Sequence, residues 1–252
     1  MDNPLGALRA SVARLHELGR GLDDGELELP SYCTEWSVAQ VLSHLGSGAV
    51  ILRRRLQDIR AGSATPDEFA PSVWDEWNAK TPRAQADDAL AADEAVLEAL
   101  EDVSEAERAQ LTFSMGPLSL GFNEFAGLRL NEHAFHTWDI EVVFDDTAHL
   151  PDDAAALVVD NLGLIARFSG RPEGQERTVS VRTTDPERDI ALRLAADGVE
   201  LTAGERRQHP ELELPAEAFS RLVYGRLDAD HTPAFGGDAA LLDVLRSVFP
   251  GP

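Results

Sequence analysis

Residues 37–59 read SVAQVLSHLGSGAVILRRRLQDI. Val38, Val41, Leu42, Leu45, Ala49, Leu52 and Leu56 recur mostly three or four apart. That period gathers apolar side chains on one face of an α-helix. The stretch predicts a long helix, and Arg53, Arg54 and Arg55 lie towards its C-terminal end, where cations complement the dipole. His44 sits inside the apolar part, so it faces the interior of a bundle or its edge.

Four more helices follow from the same pattern. Leu5 to Leu22 places Leu5, Leu8, Val12, Leu15 and Leu18 on one face. Residues Pro82 to Val103 are rich in strong helix formers, and Asn123 to Phe144 and Asp152 to Phe168 complete the set. Asp23–Glu35 and Ala61–Pro71 read as connections, and Leu111–Gly121, with its Gly116-Pro117 pair, reads as a short irregular piece. These helices predict an antiparallel bundle. The pattern changes at Ser169-Gly170-Arg171-Pro172. Beyond it, Val179–Thr183 and Ile190–Leu194 alternate with period two, and Val199–Thr202 and Leu212–Leu214 are shorter strands. Ala196-Asp197-Gly198 reads as a hairpin turn. Pro215 is expected in the first turn of a helix over Ala216–Tyr224, and a last helix covers Asp238–Val248. The expected fold is α+β: a helix bundle over residues 1–172 and a smaller α/β domain over 173–252.

Composition limits the partners. The 252 residues hold 22 Lys+Arg and 45 Asp+Glu, a formal net charge of −23. Such a chain repels phosphate backbones and anionic membrane surfaces, so neither nucleic acid nor membrane is an expected partner. Cys33 is the single cysteine, which excludes an intrachain disulfide framework and a Cys-rich zinc site. Met1-Asp2-Asn3-Pro4 does not begin a leader, and no apolar stretch is long enough to span a bilayer, so cytoplasmic residence is expected.

Chemistry concentrates in two helices. Glu132 and His136 are four residues apart and share a helix face, while His133 and His136, three apart, also converge. Packed helices lie about 8–10 Å apart. His44 and the Glu132/His136 pair can therefore reach one divalent ion, with a position left open for water or substrate. The competing reading is a buried polar cluster, with Glu132 on a solvated face. Asn131–His136 is not H-E-x-x-H, and no G-x-S-x-G elbow, P-loop or dinucleotide fingerprint occurs. Gly46-Ser47-Gly48 suits close approach of helix backbones or a ligand.

Three segments carry a family resemblance. Cys33-Thr34-Glu35-Trp36, followed by a helix running into His44-Leu45, resembles the N-terminal signature of the mycothiol-dependent maleylpyruvate isomerase family, a group of DinB-like metal-binding bundles. Tyr32 and Thr34 stand where prolines often flank the cysteine in that family. Glu132-His133-Ala134-Phe135-His136-Thr137-Trp138-Asp139 is similar to the family's Glu-x-x-x-His-x-x-Asp helix. Arg221-Leu222-Val223-Tyr224-Gly225-Arg226-Leu227 resembles a segment of its sterol-carrier-like C-terminal domain.

The resemblance implies Zn²⁺, or another divalent metal, held by His44, Glu132 and His136, and it favours His136 over His133. Asp139 either supports a ligand or pairs with an arginine. The resemblance also implies mycothiol as thiol cosubstrate, and an electrophilic small molecule that is isomerised cis to trans or S-alkylated. An anionic substrate needs a cation. Arg226 is the expected catalytic residue, because guanidinium grips carboxylate bidentately; Arg83 and Arg129 are substitutes. Trp36 and Trp138 are expected mainly in the core, and the chain is expected to be a monomer. A non-catalytic binding module and a metal-dependent hydrolase are the rival readings.

Overall fold

The computed structural model describes residues 4–115, 118–172, 174 and 176–251. Gly116, Pro117, the three N-terminal residues and Glu173 at the expected boundary lie outside the described residues. The chain divides into two compact units, Met1–Ala148 and His149–Pro252.

In the first unit, α1 (Pro4–Gly21) precedes a single turn, α2 (Asp24–Leu27). Then come α3 (Val38–Arg60), α4 (Phe69–Asn78), α5 (Pro82–Glu101) and the short α6 (Glu105–Arg108). A hairpin of β1 (Thr112–Met115) and β2 (Leu118–Gly121) leads into α7 (Phe122–Glu141). Ser37 starts α3 with a reciprocal cap. Its hydroxyl accepts from Gln40 N, and Gln40 Oε1 accepts from Ser37 N. Thr81 caps α5, with Pro82 in its first turn. Helix α3 packs on α5 and α7, and α1 packs on α7 and α5. Leu15, Val38, Val41, Leu42, Leu45 and Ala89 meet in the core. Gly46 permits the α3–α5 approach: a Cβ there would lie 2.3 Å from the Trp77 ring and 2.8 Å from Ala89 Cα.

In the second unit, α8 (Asp152–Val158) and α9 (Leu162–Ser169) are separated by a 3₁₀ turn, Val159–Asn161. There follow β3 (Arg177–Thr184), β4 (Arg188–Ala195), β5 (Gly198–Ala203), β6 (Leu212–Pro215), α10 (Ala216–Val223), β7 (Gly236–Gly237) and α11 (Ala239–Val248). The sheet order is β5-β4-β3-β6-β7, with only the β3–β6 pair parallel. Val179, Val181, Leu192, Leu194, Leu212 and Leu214 are buried along it.

The α+β class and the order of layers agree with expectation, and five details differ. Helix α4 runs through part of the expected connection, because Pro71 falls in its first turn, where a missing N–H costs nothing. The expected irregular piece forms the β1–β2 hairpin. The predicted helix 152–168 breaks in two: Val158, Val159, Asp160 and Asn161 are weak helix formers, and the Asn161 side chain donates to Leu157 O. Pro215 ends β6 and caps α10 rather than lying inside its first turn. The division at Ala148 also precedes the expected 172, since α8 and α9 pack on α10 and β5. No helix among the described residues is long and apolar enough to cross a membrane.

Candidate metal centre

Helices α3 and α7 bring His44, Glu132 and His136 together. One donor atom from each lies within 4.8 Å of the other two. Glu132 Oε2 is 3.2 Å from His44 Nε2 and 3.8 Å from His136 Nε2. Donors bound to one ion at about 2.0–2.2 Å with tetrahedral angles stand roughly 3.4 Å apart, so these separations suit a shared cation. The imidazole centroids are 4.6 Å apart, edge to face. The His44 and Glu132 side chains are 38% and 50% exposed against 12% for His136, so the triad opens to solvent on one side.

A second set of donors lies behind the first. Asp139 Oδ2 is 2.8 Å from His136 Nδ1 and accepts from Cys33 Sγ at 3.2 Å. Cys33 is held by the chain entering α3, where Tyr32 N donates to Asp139 O. Cys33 and Asp139 are buried, and with His136 they too lie at metal-ligand spacing. The two clusters share His136 through opposite ring nitrogens. An ionised Asp139 only accepts, so it draws the imidazole proton to Nδ1 and leaves the Nε2 lone pair pointing at Glu132.

Electrostatics keeps Glu132 charged. Partial burial works to raise its pKa. In the metal-free protein the hydrogen bond from His44, the charges of His136 and His44 when they are protonated, and the charge of Arg129 outweigh that and hold it at about 2.

His133 points elsewhere. It is fully buried, with Nδ1 2.8 Å from Ser11 Oγ and Nε2 3.2 Å from Asp93 Oδ2. Asp93 also accepts from Arg129 Nη2, which donates to Leu45 O at 3.0 Å as well. Burial opposes the Asp93 charge, but Arg129 and His133 bring its pKa below the ordinary value. This network ties α7 to α1, α5 and α3, and it uses Arg129 structurally. Arg83 pairs with Asp24 and donates to Leu22 O. Arg226 belongs to the second unit, after α10. It is 6% exposed and its Nη1 donates to Tyr224 O at 3.0 Å.

Trp138 is in the core, as expected, with Nε1 donating to Ala148 O. Trp36 is not: it is 37% exposed, with its ring centroid 5.1 Å from that of His44 and 6.2 Å from that of His136. The Cys33–Asp139 bond was not foreseeable from spacing, because it joins residues 106 positions apart.

The mycothiol maleylpyruvate isomerase N-terminal domain family matches residues 8–141. No curated protein matches the chain. Two crystal structures are similar in fold. One, of a mutant mycothiol-dependent maleylpyruvate isomerase with a histidine replaced by alanine, gives a TM-score of 0.65 at 13% identity, covering 94% of this chain and 93% of that one. The other, titled without a mutation, gives 0.63 at 14% identity, covering 91% and 95%.

Proposed function

The chain belongs to the mycothiol maleylpyruvate isomerase family, and from that footing we propose that it is a metal-dependent enzyme joining a small-molecule thiol, mycothiol, to an electrophile. The observation that carries the proposal is the convergence of His44 Nε2 and His136 Nε2 on Glu132 Oε2. Two neutral imidazoles and one carboxylate form the donor set of an open, catalytic zinc site. We assign the metal to this triad rather than to Cys33, His136 and Asp139, because Cys33 and Asp139 are buried whereas His44 and Glu132 reach solvent. When bound there, a divalent ion such as Zn²⁺ supplies a lowered thiol pKa, so that the sulfur is thiolate at neutral pH.

The chain's own residues have distinct tasks in this reading. Glu132 is ionised throughout the physiological range and supplies the negative charge of the donor set. Asp139 fixes the His136 tautomer and ring orientation through Nδ1. The network of Asp93, Arg129 and His133 holds α7 against α3 beside Leu45, next in sequence to His44. Arg226 is the proposed cation for an anionic substrate's carboxylate, on the strength of guanidinium chemistry.

For a maleyl-type keto acid, sulfur addition to the cis double bond leaves a single bond that rotates. Elimination then returns the trans acid and the thiol. With an electrophile that has no such return path, the thioether persists and the enzyme is an S-transferase. Cytoplasmic residence and a monomeric state belong to the same proposal.

The test is metal analysis of protein purified without chelator, then turnover of a maleylpyruvate-type acid with and without mycothiol. Stoichiometric metal and strict thiol dependence are expected. Folded protein without metal, or turnover unchanged when the thiol is omitted, refutes the proposal.

A further inference from the structure

Four tryptophans occur in the chain, and they divide by environment. Trp77 and Trp138 are core residues, at 4% and 1% exposure. Trp74 and Trp36 are 50% and 37% exposed. Both exposed indoles line one cleft of about 290 Å³ in the first unit. Helix α3 supplies Gln40 and His44 to its wall, and α4 supplies Trp74 and Asn78. His44 thus belongs both to the cleft and to the candidate metal triad.

The lining is selective by what it contains. Apart from His44, no titratable side chain among the described residues lines it. In a chain of net charge −23, a cleft wall without lysine or arginine offers no guanidinium or ammonium to grip a carboxylate or phosphate. A purely apolar ligand fits badly too, because it would strip water from the Gln40 and Asn78 amides without replacing their hydrogen bonds. Among the described contacts the Asn78 amide makes no hydrogen bond, and Gln40 spends only its Oε1, on the α3 cap. Each amide combines donors and acceptors. The two serine hydroxyls of the wall are already committed, Ser43 to Trp77 O and Ser47 to His44 O. Indole faces packing on C–H bonds, with neutral amides meeting hydroxyls, match one ligand class: a polyol or sugar ring.

We propose that this cleft is the subsite for the uncharged polyol portion of the thiol cosubstrate, seated so that the attached sulfur reaches the His44 side of the triad. The inference rests on the thiol reading above. Mycothiol has such a portion, a glucosaminyl-inositol amide; N-acetylcysteine, used as its uncharged N-methylamide, is the same thiol without it.

The experiment uses calorimetry on the full-length, zinc-loaded protein with three probes: mycothiol, S-methylated mycothiol, which keeps the rings but has no ionisable thiol, and N-acetylcysteine. Mycothiol is expected to bind about tenfold or more tighter than N-acetylcysteine. Trp74→Ala is expected to remove most of that advantage while N-acetylcysteine binds as before, and to abolish binding of the S-methyl probe. Half-exposed Trp74 is not a folding determinant, and Asn78→Ala provides a second variant with the same expected direction. Equal wild-type affinity for mycothiol and N-acetylcysteine overturns the subsite, as does an affinity ratio that neither variant changes. Binding of the S-methyl probe that depends on Trp74, together with no binding of N-acetylcysteine, upholds the subsite and counts against the thiol reading instead.

Discussion

Replacing Asp139 by Asn tests the support behind the proposed metal triad. The carboxylate is fully buried, and its Oδ2 serves both His136 Nδ1 at 2.8 Å and Cys33 Sγ at 3.2 Å. Asparagine keeps the shape and removes the charge. If its carbonyl faces Nδ1, the hydrogen bond survives as a neutral one, about half as strong as the charge-assisted bond. That difference is on the order of 1–1.5 kcal/mol, or close to tenfold in affinity. If its NH₂ faces Nδ1, the imidazole proton moves to Nε2 and the lone pair aimed at the triad is lost. The expected outcome is zinc affinity reduced about 10–100-fold. The assay is competition with a chromophoric chelator at neutral pH, with far-ultraviolet circular dichroism on the same samples. Cys33→Ala is the control: it removes one donor to Asp139 but keeps the charge, so zinc affinity should stay within about threefold of wild type. A folded Asp139→Asn protein that binds zinc within about threefold of wild type would refute the argument that Asp139 orients His136.

His44→Ala should remain folded and lose stoichiometric zinc; zinc retained at one equivalent would remove His44 from the ligand set. For the metal-free protein, Glu132 is depressed from 4.5 to about 2 on folding. Its stabilising contribution is therefore complete above the unfolded value and lost as pH falls from about 4.5 towards about 2. Glu132→Gln should flatten that acid limb in denaturant titrations, and an identical limb in the two proteins contradicts the assignment. Asp93→Asn leaves Arg129 without its buried carboxylate and should cost about 3–5 kcal/mol in urea unfolding, whereas the double change Asp93→Leu, Arg129→Met should cost less than the single one. A double variant weaker than Asp93→Asn contradicts this. Arg226→Lys should raise KM for an anionic electrophile; an unchanged KM with a lower melting temperature would make Arg226 a structural tie only.

Much of the bundle was legible because α3 and α1 bury one stripe each, and a stripe is a local signal. The box of Ser37 and Gln40 marks the start of α3 within its own turn. What was lost lies where one local pattern serves two structures. Pro71 reads as a connection, yet it sits in the first turn of α4, where proline is permitted. Helix α9 has the same apolar period as the bundle helices, but its buried Leu162 and Ala166 belong to the unit built on the sheet. Period reports that a face is buried; it does not report against which layer.

The same limit governs the centre itself. His133 and His136 are three residues apart on one helix, and nothing in their spacing separates a ligand from a strut. Their roles are set by what other helices place opposite them. Ser11 on α1 and Asp93 on α5 take up both nitrogens of His133, which leaves it nothing to give an ion. Asp139 takes up Nδ1 of His136, and Nε2 is directed at Glu132. Helix α7 is therefore polar on two faces. One is closed by charge partners and fixes the helix in the bundle; the other is open to solvent and is the one able to do chemistry. That division also gives the arginine of this helix its place. Arg129 is spent on Asp93 and Leu45 O, and what it gives the site is the position of α7 against α3.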